Sequence, residues 1–133
     1  MRPISRRKAR ECALIALYEL DFGSSEPKEV ADRVLESAEM PDVVRDYSRQ
    51  LIEGTWDHRA SLGQNVAGFL REYDYNRLAA IDRTILLIAA YELMFVPDVP
   101  PAVTLNEAVE LAKQYSTAES GKFVNGVLGR LLK

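Results

Sequence analysis

Arg2, Arg6, Arg7, Lys8 and Arg10 place five basic residues within the first ten positions, with no acidic residue among them. Residues 11–133 hold the other 12 of the 17 Lys and Arg against all 20 Asp and Glu, so a chain of formal net charge −3 is a basic end on an acidic body. On a helix at about 100° per residue, Arg6, Arg7 and Arg10 share one sector beside the apolar face, while Lys8 points elsewhere. A guanidinium is a planar fork that grips carboxylate or phosphate oxygens two at a time. A helix N-terminus disfavours cations, by about 0.3–1 kcal/mol each when exposed, and a local rule broken in this way points to a functional site. Phosphate supplies the missing anion, since it binds both the guanidinium forks and the free N–H groups of a helix start. A membrane surface would accept the charge too, but the apolar face of this helix has the look of core packing and no aromatic anchor accompanies the arginines. Nucleic acid is the better match, and RNA more than DNA, because no reading helix or dimer spacing is recognisable. The strip Arg7, Glu11, Leu14 and Tyr18 continues along the same edge, which therefore turns mixed and aromatic further on. Tyr18 and Phe123 are aromatic residues that could stack on a base, with core packing the competing role for Phe123.

Catalytic chemistry finds little footing. His58 and Cys12 are the only histidine and cysteine, which excludes zinc ligation of the usual kinds. Cys12 lies on the apolar face of its helix and reads as packing; His58, between Asp57 and Arg59, reads as surface. The stretch Ser120 to Phe123, "SGKF", has the Gly-Lys of a phosphate loop, but Ser116 stands where that motif needs Gly and Phe123 where it needs Ser or Thr. No enzyme activity, metal or cofactor is expected.

The elements that must position the arginines are helical. Ala9, Cys12, Ala13, Ala16, Leu17 and Leu20 define one side of a helix over residues 5–22, closed by Gly23. Pro27 opens a short helix with Val30, Val34 and Leu35, and Pro41 opens another through Val44, Tyr47, Ser48, Leu51 and Thr55. That pattern runs on past Gly63 to Leu70, with Gly54, Gly63 and Gly68 as points where it can bend or divide. "REYDYNR" is a polar separator before residues 77–96, which are apolar on most sides, as a central helix buried by several neighbours would be. Pro101 or Thr104 starts the next helix, and the spacing Ser116-x-x-Glu119 suits a capping box before the last one, striped by Phe123, Val124, Val127, Leu128 and Leu131. The expected fold is all-α, six or seven helices in one domain over residues 1–133, without repeats or linkers. The longest nearly apolar run, from Ile85 to Val96, is too short to cross a bilayer, and with one cysteine and no signal-peptide pattern the cytoplasm is expected.

Four stretches, "RKARECALIALY" (7–18), "DRTILLIAAYEL" (82–93), "NEAVELAK" (106–113) and "KFVNGVL" (122–128), resemble in order and spacing the bacterial NusB family of transcription antitermination factors. The resemblance implies two small helical bundles packed together and no catalytic activity. It also implies pairing with NusE, a small-subunit ribosomal protein, on the single-stranded boxA element of nascent ribosomal RNA, within an assembly that keeps RNA polymerase elongating through ribosomal RNA operons. Carried over residue by residue, it implies RNA contacts from Arg6, Arg7 and Arg10, with Arg2 nearby, and from Lys122 and Phe123, with Glu119 and Ser120 adjacent. Tyr18 and Asp82 correspond to the NusE side. Some members form homodimers that cover their RNA surface, a state this sequence leaves open. It departs from the family pattern at Leu87, where Arg is frequent, at Ser116, where Gly is usual, and at Lys133, beyond which some members carry a basic tail. Competing readings are the NusB-like domain of some ribosomal RNA cytosine methyltransferases, which would require a downstream catalytic domain, and a helical protein-interaction module whose basic end is merely solvated.

Overall fold

The computed structural model describes residues 5–23 and 25–133. Among these described residues seven α-helices follow one another: α1 (Arg7–Phe22), α2 (Pro27–Glu36), α3 (Asp42–Asp57), α4 (Arg59–Ala67), α5 (Ala80–Phe95), α6 (Pro101–Tyr115) and α7 (Ala118–Leu131), with a 3₁₀ turn at Tyr75–Arg77. Among the described residues there is no strand, and the all-α expectation holds. None of the helices is long and apolar enough to cross a membrane.

Helices α1, α2 and α3 pack on one another, α6 packs on α5 and α7, and α5 joins the two groups through α1 and α3. The central place of α5 follows from its composition. Ile85, Leu86, Ile88, Ala89, Ala90 and Tyr91 are all buried, and together they cover most of its circumference. In α1 the stripe Ala9, Cys12, Ala13, Ala16, Leu17 and Leu20 is buried as its period requires. Burial raises the Cys12 thiol pKa, which suits a packing residue.

Helix boundaries differ from the sequence expectation where tertiary contacts outweigh local signals. The long pattern after Pro41 divides at His58, whose N–H closes α3 on the Gly54 carbonyl. Gly54 itself is required by packing: a Cβ there would come within 2.4 Å of the Tyr91 ring. Pro101, not Thr104, opens α6, because the Thr104 hydroxyl is spent on Glu92 in the core. Thr117 caps α7, accepting from Ser120 N–H at 3.0 Å, one residue later than the spacing suggests.

Two ion pairs set how α1 lies on α5. Arg10, in the first turn of α1, meets Glu92 near the end of α5 at 2.7 Å, while Asp21 near the end of α1 meets Arg83 near the start of α5, also at 2.7 Å. The helices are therefore antiparallel, and the C-terminal end of α1 shares a neighbourhood with the N-terminal end of α5.

Candidate nucleic-acid interface

The three arginines of the α1 edge have three different fates. Arg10 is only 4% exposed. Its Nε and Nη2 donate to the two carboxylate oxygens of Glu92 at 2.7 and 3.2 Å, and Glu92 also accepts from the Tyr47 and Thr104 hydroxyls at 2.7 and 2.8 Å. Such a network satisfies a charge inside the protein, and burial together with Glu92 pushes the Tyr47 hydroxyl well above the usual tyrosine range. Arg6 lies half-buried with its guanidinium carbon 4.1 Å from the centre of the Tyr47 ring, and donates to Asp98 at 3.1 Å. Arg7 is the most accessible of the three and forms a fork on Glu107, at 2.9 and 3.2 Å. The Glu107 bonds raise the Arg7 pKa above its ordinary guanidinium value.

From that edge the surface continues along α1 and α6. The Tyr115 hydroxyl, at the end of α6, donates to Glu11 at 3.1 Å. One residue on, Ser116 and Thr117 lead into α7, where a cleft of about 330 Å³ opens between α7, the start of α5 and the segment that precedes it. Tyr73, Arg77, Leu78, Asp82, Ser120 and Phe123 stand in its wall. Tyr73 and Phe123 meet edge to face, centroids 4.9 Å apart, and Tyr73 is exposed. Lys122 is exposed beside them, 3.6 Å from Glu119. Deeper in, the Ser120 hydroxyl is shared with Ser116 and Thr117 and donates to Asp82 Oδ2 at 3.1 Å, whereas Asp82 Oδ1 has no hydrogen-bond partner among the described residues. Aromatic faces beside a basic rim are what an unstacked base and its phosphate need.

A third feature lies on the far part of α1. Ile15, Tyr18 and Phe22 are exposed at helical spacing, with Tyr18 edge-on to Phe22 at 4.8 Å. An exposed apolar stripe on a helix suits a protein partner.

Residues 7–133 match the family model for the NusB family. The chain belongs to the NusB family. It is similar to the transcription antitermination protein NusB of Symbiobacterium thermophilum, 41% identical across 98% of this chain and 90% of that protein. The NusB of Pelotomaculum thermopropionicum is 39% identical, again over 98% and 90%. Among solved structures, T. maritima NusB superimposes with a TM-score of 0.85 at 32% identity, covering 98% of this chain and 92% of that one. A chain from the crystal structure of antitermination factors NusB and NusE in complex with double-stranded RNA gives 0.86 at 28% identity, over 95% and 94%.

The residues expected from sequence are thus only partly brought together. Arg6, Arg7, Lys122 and Phe123 are placed on accessible or half-buried surface. Arg10 requires correction: it lies beside the apolar face as the helical sector implies, but its charge is taken up by Glu92 in the core, so it is not presented to a ligand. Ser120 is likewise 8% exposed and committed to its neighbours. Asp82 is buried in the cleft wall that also holds Phe123, while Tyr18 is exposed on α1. Arg2 lies outside the described residues. Tyr73 and Arg77 escape the sequence reading, because inside "REYDYNR" nothing local distinguishes a cleft residue from a solvated one.

Proposed function

We propose that this protein works in transcription antitermination as an RNA-binding domain over its whole length, holding single-stranded RNA of the boxA type on nascent ribosomal RNA together with NusE. The observation that carries this reading is the Tyr73–Phe123 cleft, joined through Tyr115 and Glu11 to the Arg6–Arg7 edge. Bases stack in the cleft, and phosphates run toward the arginines. The stripe Ile15, Tyr18 and Phe22 takes NusE, close to the α5 end of the cleft, so that one ligand orders the neighbourhood of the other. The place of action is the bacterial cytoplasm, where the assembly keeps RNA polymerase elongating through ribosomal RNA operons. Support comes from the similar chain seen with NusE and RNA; that RNA is double-stranded, and the preference for single strands rests on the aromatic pair, which a paired base cannot reach.

The test is fluorescence anisotropy of a labelled boxA-type strand titrated with this protein and NusE, comparing Phe123→Ala with the unaltered chain. Stacking removed at one base weakens binding by about 1–3 kcal/mol. Unchanged affinity, or a duplex bound more tightly than the strand, would overturn the reading.

A further inference from the structure

Arg6 and Arg7 are guanidiniums of the α1 edge near the surface, and both are already occupied. The Arg7–Glu107 contact has the two-pronged form that a phosphate would take. The Glu107 side chain is only 15% exposed and that of Arg7 is 52% exposed, so the carboxylate is set into the wall and the guanidinium lies over it. Glu110 lines the same small cleft, its charge partly met by Lys113 at 3.7 Å, and Glu11 stands one turn along α1. At the other arginine, Asp98 projects from the connection between α5 and α6 to reach Arg6.

We infer that Glu107, seconded by Asp98, is a built-in competitor for RNA phosphate: it holds the Arg7 fork ready and yields it only to an RNA whose bases also engage the Tyr73–Phe123 cleft. This rests on the proposed RNA reading of the arginine edge. A phosphate and a carboxylate cannot share one fork, so an incoming backbone must either displace Glu107 or bind at the outer N–H groups beside a fixed negative charge. The penalty falls on every polyanion alike. Only a strand that also gains stacking at α7 has enough binding energy left to be held, so the paired arginines raise the threshold below which nucleic acid in general is released. Glu107 and Asp98 are in this sense positioning residues that act through Arg7 and Arg6.

The experiment measures binding of a labelled boxA-type strand and of polyuridine of equal length, at several salt concentrations, by the unaltered protein with NusE and by Glu107→Gln, Asp98→Asn, Arg7→Ala, Arg7→Ala/Glu107→Gln and Phe123→Ala. Glutamine keeps the shape and an acceptor while removing the charge. Glu107→Gln is expected to bind polyuridine on the order of fivefold more tightly, with a log–log salt slope steeper by roughly 0.7 for one added phosphate. The boxA strand gains by a similar factor, so what changes is the strength of binding to RNA that lacks the stacking and not the ratio between the two strands, and the gain disappears in the Arg7→Ala background. Asp98→Asn, at a side chain 67% exposed, repeats the effect more weakly where folding is not at issue. Polyuridine binding unchanged or weakened in both charge-neutral variants would overturn the inference. If Arg7→Ala and Phe123→Ala still weaken the boxA complex in that case, the RNA reading survives alone; if no variant alters RNA binding, both fall.

Discussion

Two carboxylates near opposite ends of α5 are served very differently. Glu92 accepts from both arms of Arg10 and from the Tyr47 and Thr104 hydroxyls. Asp82 accepts from Ser120 through one oxygen and leaves the other without a partner among the described residues. A saturated buried charge fixes how helices from both halves of the molecule meet; an unsaturated one sits where the packing is incomplete, in the wall of the cleft. The end of α5 that holds the fold and the end that lines the proposed RNA cleft are thereby separated along a single helix.

Neutralising each end in turn puts this contrast at greatest risk. Glu92→Ala strands the buried Arg10 guanidinium and should cost about 3–5 kcal/mol in urea unfolding. Asp82→Asn, which removes a charge already short of partners, should stay within about 1 kcal/mol of the unaltered protein. Equal losses at the two ends would end the distinction. Arg10 and Arg7 make a second pair: Arg10→Ala should lower stability by several kcal/mol for the same reason as Glu92→Ala, whereas Arg7→Ala, which opens a half-exposed pair, should lower it by no more than about 1 kcal/mol while weakening RNA binding to the extent that one phosphate goes unheld. Next in size is Gly54→Ala, whose methyl must displace the Tyr91 ring and should cost about 1–3 kcal/mol, read as a lower midpoint in thermal unfolding.

The smallest effect is one of pH. Tyr47, Tyr75 and Tyr115 have raised pKa values, burial being the first cause in each. A group that holds its proton more tightly when folded contributes stability that is fully present below the unfolded tyrosine value, about 10, and is lost as pH rises through the higher folded values. Urea midpoints should therefore fall as pH is raised above about 10, and Tyr47→Phe should make that decline shallower. A midpoint independent of alkaline pH would mean that these hydroxyls ionise as readily in the fold as outside it.

Much of the fold is legible in the sequence because helical period and helix punctuation are local. The buried stripe of α1, the all-round apolar character of α5 and the opening prolines of α2 and α6 all follow from side chains a few positions apart. The site is legible only in part. The angular sector correctly puts Arg10 with Arg6 beside the apolar face, but whether an arginine at that border turns out to solvent or inward depends on an acceptor 82 residues away. The Glu107 fork, 100 residues from Arg7, is hidden for the same reason. Tyr73 and Arg77 acquire meaning only once α7 lies across them. The division at His58 shows the same limit on a smaller scale: the glycines mark where the helix could yield, and packing chooses the place.

The proposed RNA surface is best tested by one salt-dependent titration of a labelled boxA-type strand against this protein with NusE, repeated with Arg6→Ala/Arg7→Ala and with Phe123→Ala after circular dichroism confirms the fold. Arg10 is left intact, because its removal would confound binding with unfolding. The arginine pair is expected to flatten the salt slope by roughly 0.7 for each phosphate no longer held, and Phe123→Ala to weaken binding with the slope unchanged. Identical curves for all three proteins would contradict the placing of RNA on this surface.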